Sequence, residues 1–405
     1  MRLLIIATRL PYPPLDGLVI PLYELIRELS SRHELWLAAY VENDEPGIPE
    51  RSAHLSSMCT EVVLLPKLPQ KSALLRALSS GLPVSVGPYA SADARQRVSD
   101  LLTIRSIDGI ICHLAHSAAA LEQTCTTPAC MIVQDALYHL LRLNSRLHKS
   151  AVKKSYYVLE SKRMLRFERA TYPRFLRCAV VSQAEKERVL AVESGVPVEV
   201  VPNGVDACYY KPDSSIARSE AVLYMGALGA SRNESAAWVL STEIFPRLRV
   251  QFPALQLWIV GNCPSRRLLD IGRQDPSINV TGQVEEVLPY LQSARLFICA
   301  QWTGTGIKNS VLQALAAGLP VLLSPAAAEG FQGRPGRDYI VCKDTNEFMT
   351  AATRVLTDEP FASELGVQGR QLVCERYTWV RYAQCIEKLL QMDMGKPCSS
   401  PAGIA

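Results

Sequence analysis

The sequence predicts an α/β protein of two halves, each with its own parallel sheet. Short apolar runs rich in β-branched and aromatic residues recur along the chain, as expected of strands buried on both faces. Amphipathic patterns such as IPLYELIRELSSR lie between these runs, and this alternation is typical of parallel strands joined by crossover helices. The predicted strands are RLLIIAT, HELWLAAYV, TEVVLLP, GIICHLA, ACMIVQD and CAVVS in the first half, and AVLYMGAL, LQLWIVGN, INVTGQV, RLFICAQ, PVLLSPA and YIVCK in the second.

The order of these elements predicts the domain boundaries. The chain opens with a strand, because its apolar run from Leu3 to Ala7 is too short for a signal-peptide core or a membrane span. The halves are expected to join close to the turn-rich segment VVPNGVDACYYKPDSS, where Asn203 and Gly204 suit the left-handed backbone of a tight turn. We expect a first domain at 1–181, a second at 182–378, a helix at 379–391 that returns to the first domain, and a disordered tail at 392–405.

Composition excludes several classes of protein. A chain of 405 residues, 48% hydrophobic and 20% charged, is expected to form two or three domains with full cores, and not a disordered or coiled-coil protein. No segment approaches the roughly 18 uninterrupted apolar residues of a membrane helix, so any membrane contact should be peripheral. The net charge of +4, without a recognition motif, predicts no nucleic-acid partner.

Cysteine and histidine spacing predicts no metal site. The twelve cysteines are scattered singly without a CxxC pair, which is typical of reduced thiols in a cytoplasmic protein. His113 and His116 form an HxxH pair, but no third ligand follows at the spacing of a metal site.

The segment TGTGIKNSVLQALAAGLPVLLS, residues 303–324, has the features of an anion-binding loop. Gly304 and Gly306 allow the backbone to approach a ligand closely, and the helix that begins near Lys308 presents free amides and a positive dipole end. Gly318 is expected to end that helix, and Pro320 prevents its continuation. The alternative is an ordinary loop between a strand and a helix.

Two stretches are locally basic. The segment 139–177 reads as one or two amphipathic helices, opposed only by Glu160 and Glu168. Its basic residues are Arg142, Arg146, Lys149, Lys153, Lys154, Lys162, Arg163, Arg166, Arg169, Arg174 and Arg177. This face is either a solvated helix surface or a contact with anionic lipid or a phosphate-bearing acceptor. A weaker basic stretch lies at 65–83.

Residues of about 180 to 390 resemble glycosyltransferase family 4 (group 1), of the bacterial cell-surface polysaccharide type. The resembling elements, in the family's order, are VVPNGVD (200–206), LWIVGNCP (257–264), VTGQV (280–284), the glycine-rich loop with LQALAAGLPVLLS, and YTW (377–379). The first half resembles the family only through its opening strand, PYPPLDG and DGIICH. The resemblance implies the GT-B fold, in which two Rossmann-like domains face each other across an interdomain cleft.

The resemblance also implies a donor site for a nucleoside-diphosphate sugar. The loop 304–308 would hold the diphosphate, VTGQV would line the base pocket, and Gly17 would leave room on the first domain. The residues expected to bind donor are Gly17, Arg232, Gly261, Gly282, Val284, Thr305, Gly306, Ile307, Lys308, Asn309 and Gln313. Gly261 and Gly282 are equally explicable as tight turns after strands.

Two positions depart from the family's pattern. The family usually carries two glutamates eight positions apart here, whereas this chain has Thr305 and Gln313. Gln313 can still hydrogen-bond a ribose, and Arg232 and Lys308 are the nearest cations for the diphosphate.

The catalytic candidates are Lys308, Asp135 and His113. Asp135 follows the strand MIVQD and is either an acceptor base or sugar contact, or else a turn or helix cap. His113 either lines the cleft or is packed in place at the end of its strand. The mechanism implied for the family is retaining front-face displacement, for which we expect neither a cofactor nor a divalent ion.

Three functions are compatible with these residues. The first is a cytoplasmic, membrane-associated transferase that acts on a polysaccharide or lipid-linked glycan acceptor. The second is a nucleotide-sugar-binding subunit with weak or no activity, which the replaced carboxylates favour. The third is a sugar-nucleotide epimerase, which the same missing carboxylates disfavour.

Overall fold

The computed structural model describes residues 1–42, 44–147, 150–304 and 306–391, and it divides into two compact units. Among these residues, the first unit comprises Met1–Val201 and residues 382–391, and the second comprises Pro202–Arg381. Both are α/β units with parallel sheets, so the predicted fold class is confirmed. The predicted tail at 392–405 lies outside the described residues.

The first unit contains a seven-stranded parallel sheet of order β3-β2-β1-β4-β5-β6-β7. Its strands are β1 (Arg2–Ala7), β2 (Glu34–Val41), β3 (Glu61–Pro66), β4 (Gly109–His113), β5 (Ala129–Val133), β6 (Arg177–Val180) and β7 (Val198–Val200). Its helices are α1 (Val19–Ser30), α2 (Ile48–Ser56), α3 (Gln70–Ser80), α4 (Ala92–Arg105), α5 (Leu137–Leu147), α6 (Ala151–Thr171) and α7 (Gln183–Val192), with short 3-10 helices at Gly87–Tyr89, Ala115–Ala120 and Tyr172–Arg174.

The β1 strand lies at the centre of this sheet, as its uninterrupted apolar sequence requires. It pairs with β2 on one side and β4 on the other, and its residues from Leu3 to Ala7 are buried. Strands with apolar residues on both faces are stable only where helices cover both faces of the sheet.

The boundary between the units lies at Val201, later than the predicted 181. The short strand β7 was not predicted, because Pro197 and Pro202 flank it in a turn-rich stretch. It pairs in parallel with β6, and this pairing keeps the segment from 182 to 201 in the first unit.

The second unit contains a six-stranded parallel sheet of order β10-β9-β8-β11-β12-β13. Its strands are β8 (Ala221–Met225), β9 (Gln256–Val260), β10 (Ile278–Gly282), β11 (Leu296–Cys299), β12 (Val321–Leu323) and β13 (Ile340–Val341). Its helices are α8 (Ser231–Val239), α9 (Phe245–Gln251), α10 (Arg266–Gln274), α11 (Leu288–Ser293), α12 (Asn309–Ala316), α13 (Pro325–Ala328), α14 (Thr345–Thr357) and α15 (Glu359–Arg376), with a π-helical turn at Leu240–Ile244.

The last helix, α16 (Trp379–Gln391), belongs to the first unit from Tyr382 onward. There the Glu387 carboxylate lies 2.5 Å from the ring of His33 and 3.0 Å from the guanidinium of Arg32. Leu390 packs near Gly109 at the start of β4.

The turn around Gly204 differs from the expected geometry. Gly204 does not have a positive φ, and neither does Asn203. Glycine is needed there because a Cβ would lie 2.6 Å from the backbone nitrogen of Trp379. A close approach between two backbone segments, and not a left-handed turn, therefore explains this glycine.

Among the described residues, no helix is long and apolar enough to cross a membrane.

Candidate functional site

The carboxyl edge of the second unit's sheet gathers most of the predicted donor-binding residues. The chain passes from β8 to β9 on one side and from β11 to β12 on the other, so β8 and β11 meet at a topological switch point. Ligands of open parallel sheets bind at such points. Arg232 follows β8, Gly261 follows β9, Gly282 ends β10, and the glycine-rich loop follows β11.

Gly304 and Gly306 both adopt the left-handed backbone that favours glycine, with φ of 115° and 75°. A Cβ on Gly304 would lie 2.8 Å from Nε2 of Gln301 and 3.3 Å from Cδ of Arg232. The loop therefore packs against the side chain of Arg232. Thr305, a predicted donor contact, lies outside the described residues.

The α12 helix begins at Asn309 directly after this loop and ends before Gly318, whose φ of 69° confirms the predicted helix stop. Its amino-terminal amides and positive dipole end therefore lie next to the loop. The Lys308 ammonium donates a hydrogen bond to the Gly306 carbonyl at 2.6 Å, which fastens the loop from within. Asn309 Oδ1 is buried and has no hydrogen-bond partner among the described residues.

Two further glycines have structural reasons of different kinds. A Cβ on Gly261 would lie 1.8 Å from the Gly226 carbonyl oxygen, so this position accepts only glycine. Gly282 has a φ of 72° and open space around its Cβ position, and its carbonyl accepts a hydrogen bond from Gly261 N–H at 3.2 Å. Val284 and Ile307 are both half-buried, and each packs against this unit's hydrophobic core.

Gln313 is engaged by a neighbouring side chain. Its Nε2 donates a hydrogen bond to the Tyr210 hydroxyl at 3.0 Å. The guanidinium of Arg370 donates to the backbone carbonyls of Tyr210 and Ala316, which ties Tyr210 to the end of α12. The amide nitrogen of Gln313, which was expected to be available to a ribose, is therefore already hydrogen-bonded within the protein.

Gln301 was missed by the sequence analysis. It is buried, and its side-chain Nε2 donates a hydrogen bond to the Thr303 carbonyl at 2.9 Å. Its backbone carbonyl accepts a hydrogen bond from the Ser324 hydroxyl. These bonds hold the start of the loop against the end of β12. Its position two residues after a buried strand was the available signal.

A second candidate site lies at the carboxyl edge of the first unit's sheet. A cavity of about 410 Å³ opens where β1 and β4 meet, which is the switch point of that sheet. Its polar lining consists of Thr8, Arg9, Lys67, Tyr89, His113, His116 and Asp135. The structure thus brings together the predicted candidates His113 and Asp135, and it adds two cations, Arg9 and Lys67, that sequence reasoning missed.

His113 is held in this cavity as a neutral imidazole. Its exposed fraction is only 3%, and neither ring nitrogen has a hydrogen-bond partner among the described residues. Burial is the main cause that lowers the pKa of His113 to about 4; the nearby Arg9 charge acts in the same direction, and Asp16 opposes it. The next residue, Leu114, has a φ of 67°, a strained value for leucine that places the turn after β4. Such strain clusters at functional sites.

Two glutamates cap the helix that follows Asp135. The amides of Ala136 and Leu137 donate instead to Glu185 at 2.9 Å and to Glu168 at 2.8 Å. Glu185 and Glu168 thus accept the first amides of this helix, and Asp135 lies half-buried in the cavity lining.

Near the same cavity, Asp16 has a structural role. Its carboxylate lies 2.6 Å from the guanidinium of Arg9 and accepts the amides of Leu18 and Val19 at the start of α1. A Cβ on the adjacent Gly17 would meet no atom within 4 Å. Neither its backbone nor its surroundings require glycine at position 17.

Residues 219–358 match a protein-family model described as Glycosyl transferases group 1. The matched residues all lie within the second unit. The strands β8 and β11, which form the switch point, and the glycine-rich loop all lie within the matched residues. Comparison with curated protein sequences gave no match.

The fold of the whole chain is that of GT-B glycosyltransferases. Sucrose-phosphate synthase from Thermosynechococcus elongatus is 17% identical, with a TM-score of 0.69 over 97% of this chain and 99% of that one. HepE of Anabaena, solved in complex with UDP-glucose, is 13% identical, with a TM-score of 0.63 over 97% of this chain and 100% of that one. A glycosyltransferase from Rickettsia africae is 10% identical, with a TM-score of 0.65 over 98% of this chain and 99% of that one. At these identities the likeness concerns the fold.

Proposed function

We propose that the protein is a retaining, family 4-like glycosyltransferase that moves a sugar from a nucleoside-diphosphate sugar to a glycan acceptor. One observation carries the proposal. Within a group 1 domain, the glycine-rich loop, the start of α12 and the side chain of Arg232 converge at the switch point of the sheet. Amides, a helix dipole and a cation in one place suit a diphosphate.

The donor would bind with its diphosphate against the loop 304–308 and the amides of α12. Arg232 would contact the phosphate oxygens, and Lys308 would add positive charge from within the loop. The base would lie toward Gly282, which ends β10, and toward Val284, two residues later. The solved complex of HepE with UDP-glucose supports this class of donor.

In the proposed reaction, the bond between the anomeric carbon and the donor phosphate oxygen breaks. A bond between that carbon and an acceptor oxygen forms on the same face, and the acceptor proton passes to the departing phosphate oxygen. The protein would contribute positioning and charge stabilisation by amides and cations, so we expect turnover without a divalent ion. His113, as a neutral imidazole, and Asp135 would bind or orient hydroxyl groups in the first unit's cavity.

The acceptor is proposed to be a polysaccharide or a lipid-linked glycan, handled in the cytoplasm at the inner face of the membrane. The basic segment 139–177 supports a peripheral contact with anionic lipid. It includes most of α5 and all of α6, and most of the first half of α6 is exposed.

A second candidate is a donor-binding subunit of a glycan assembly system with little or no activity. The specific observation is at Gln313, where the family usually has a carboxylate. Its amide is engaged by the Tyr210 hydroxyl, so a ribose would have to share it or replace it. Binding of donor without transfer distinguishes this candidate.

The test begins with calorimetric binding of a panel of nucleoside diphosphates and their sugars, with magnesium and with EDTA. Any hit is then assayed for nucleotide release with a membrane extract as acceptor. Selective binding in EDTA and acceptor-dependent release would support the transferase. Binding without release from any glycan-containing extract would favour the subunit, and no binding by any donor would reject both.

A matched variant separates the two candidates further. Gln313→Glu restores the carboxylate at a position where the Tyr210 hydroxyl can still donate to it. A transferase with a weakened ribose contact should gain donor affinity on this change, whereas a marked loss would show a pocket that has diverged.

A further inference from the structure

The α3 helix has its large apolar residues on the outside. Leu74, Leu75 and Leu78 are 46%, 70% and 54% exposed, although they share one face of the helix. The residues that α3 buries are only Ala73 and Ala77. Single exposed leucines need no explanation, but three on one face of an eleven-residue helix form an apolar patch.

Close packing beneath α3 keeps the leucines exposed. A Cβ on Gly87 would lie 2.4 Å from the Ala73 carbonyl oxygen and 3.3 Å from Cβ of Ala77. The helix therefore approaches the turn at Gly87 as closely as alanine and glycine allow. Rotating α3 to bury its leucines would require space that this contact does not leave.

A second apolar surface lies on the first turns of α6. Val152, Tyr156 and Leu159 are 81%, 47% and 50% exposed and follow the spacing of one helix face. The neighbouring α5 packs along α6 and exposes Leu143.

A buried carboxylate joins these two surfaces. Glu160, the residue after Leu159, is 2% exposed and accepts a hydrogen bond at 2.7 Å from the amide of Val84, shortly after α3 ends. Arg163 contacts the same carboxylate at 3.0 Å. The exposed turns of α6 therefore lie close to the segment that follows α3.

Both surfaces are basic and contain no acid. The sequence has no Asp or Glu between residues 62 and 92, or between 137 and 159. The exposed basic side chains around the apolar patches are Lys71, Arg76, Arg142, Arg146, Lys153 and Lys154. Leucine-rich patches with a wholly basic surround match the headgroup region of an anionic bilayer.

We propose that α3 and the first turns of α6 together form a membrane-binding surface, with the leucines of α3 inserting among anionic phospholipids. A protein partner would be expected to meet charges of both signs, whereas lipid headgroups of one sign explain the complete lack of acidic residues. The inference deepens the peripheral contact proposed above by assigning an insertion helix. It is independent of sugar transfer, because vesicle binding needs no donor.

The test is co-sedimentation of the full chain with vesicles of phosphatidylglycerol and phosphatidylcholine, and with vesicles of phosphatidylcholine alone. We expect binding only to the anionic vesicles. Replacing Leu74, Leu75 and Leu78 together by serine should weaken that binding at least about tenfold, because the bilayer would no longer bury their apolar surface. These side chains are exposed, so the variant should keep its unfolding temperature.

Matched variants control for composition and charge. Ile104→Ser and Val367→Ser remove exposed apolar side chains elsewhere and should leave binding unchanged. Lys153→Glu with Lys154→Glu should weaken binding about tenfold or more, and less so at high salt, whereas Arg266→Glu with Arg273→Glu should not.

Equal binding to both vesicle types, or full binding by the leucine variant, would overturn the proposal. Absence of vesicle binding would overturn it as well. A dimer of the wild type that the leucine variant abolishes would then identify the face as a contact between copies of the chain.

Discussion

The side chain of Arg232 lies against Gly304, with its Cδ 3.3 Å from the position of a Cβ on that glycine. This contact joins the segment after β8 to the loop after β11, so it spans the switch point of the second unit's sheet. The absence of a side chain at position 304 allows the arginine to lie there.

Arg232→Ala should therefore weaken donor binding. A charged hydrogen bond to phosphate is worth about 1.5–3 kcal/mol, so we expect the Kd for the preferred nucleoside diphosphate to rise at least about tenfold. Calorimetry measures the change. Arg266→Ala is the matched control, because that side chain is 93% exposed and its ion pair with Asp270 is loose, at 4.0 Å. Equal affinities for the two variants would remove Arg232 from the phosphate site.

Gly304→Ala should distort the loop. The residue has a φ of 115°, and its Cβ would lie 2.8 Å from Gln301 Nε2, so alanine adds backbone strain and a steric clash. We expect donor binding to fall beyond detection and unfolding to become easier by about 1–3 kcal/mol.

Gly17→Ala is the matched control for this glycine. Gly17 has no positive φ, and a Cβ at that position would enter open space, so the free energy of unfolding should not change. If activity nevertheless falls, a ligand occupies the space beside Gly17. Normal donor binding by Gly304→Ala would contradict the proposed role of the loop.

The sequence predicted those parts of the site that depend on local geometry. A positive φ is a local property of a single residue such as Gly304 or Gly318. The loop and the helix stop could therefore be predicted without knowing which distant residues contact them. Gln301 was not recognisable, because its carbonyl accepts the hydroxyl of Ser324, which lies 23 residues away in sequence.

The first unit's cavity shows the same limit. Arg9 and Lys67 each follow a strand, but only the strand order brings the ends of β1, β3 and β4 to one edge. The short strand β7 was missed for a related reason, since Val198–Val200, in a stretch with a proline on each side, become a strand only by pairing with β6. Predicting the fold class required only periodicity, whereas these features required the tertiary pairing itself.

His113 should make the protein less stable in acid. Its pKa is about 4 in the folded protein, below its ordinary value of 6.5, because burial disfavours the charged imidazole. Between these pH values the unfolded chain binds more protons, so stability from this group falls as pH drops from 6.5 toward 4. His113→Gln should reduce that slope by as much as about 1.4 kcal/mol per pH unit.

Urea unfolding at pH 5 and pH 7 measures the effect of His113→Gln. The wild type should lose more stability than the variant between pH 7 and pH 5, even if the variant is less stable at both. Parallel losses in the two proteins would show that His113 is protonated normally in the folded state.

Glu168 should act in the opposite direction. It is fully buried, and burial raises its pKa to about 7 from an ordinary value of 4.5, although it accepts the amide of Leu137 at 2.8 Å. Between pH 4.5 and 7 the folded protein holds the extra proton, so stability from this group falls as pH rises through that window. At pH 8 the buried charge costs on the order of 3 kcal/mol.

Glu168→Gln keeps an oxygen that can accept the Leu137 amide but removes the titration. Compared with the wild type, the variant should gain stability at pH 8 relative to pH 5, as measured by urea unfolding at both values. Glu122→Gln is the control, because that carboxylate is exposed in the same unit and should leave the difference unchanged. If Glu168→Gln also leaves the stability difference between pH 5 and pH 8 unchanged, the Glu168 carboxylate is ionised in the folded protein throughout this pH range. The α5 helix would then be capped by a charge whose burial is fully compensated.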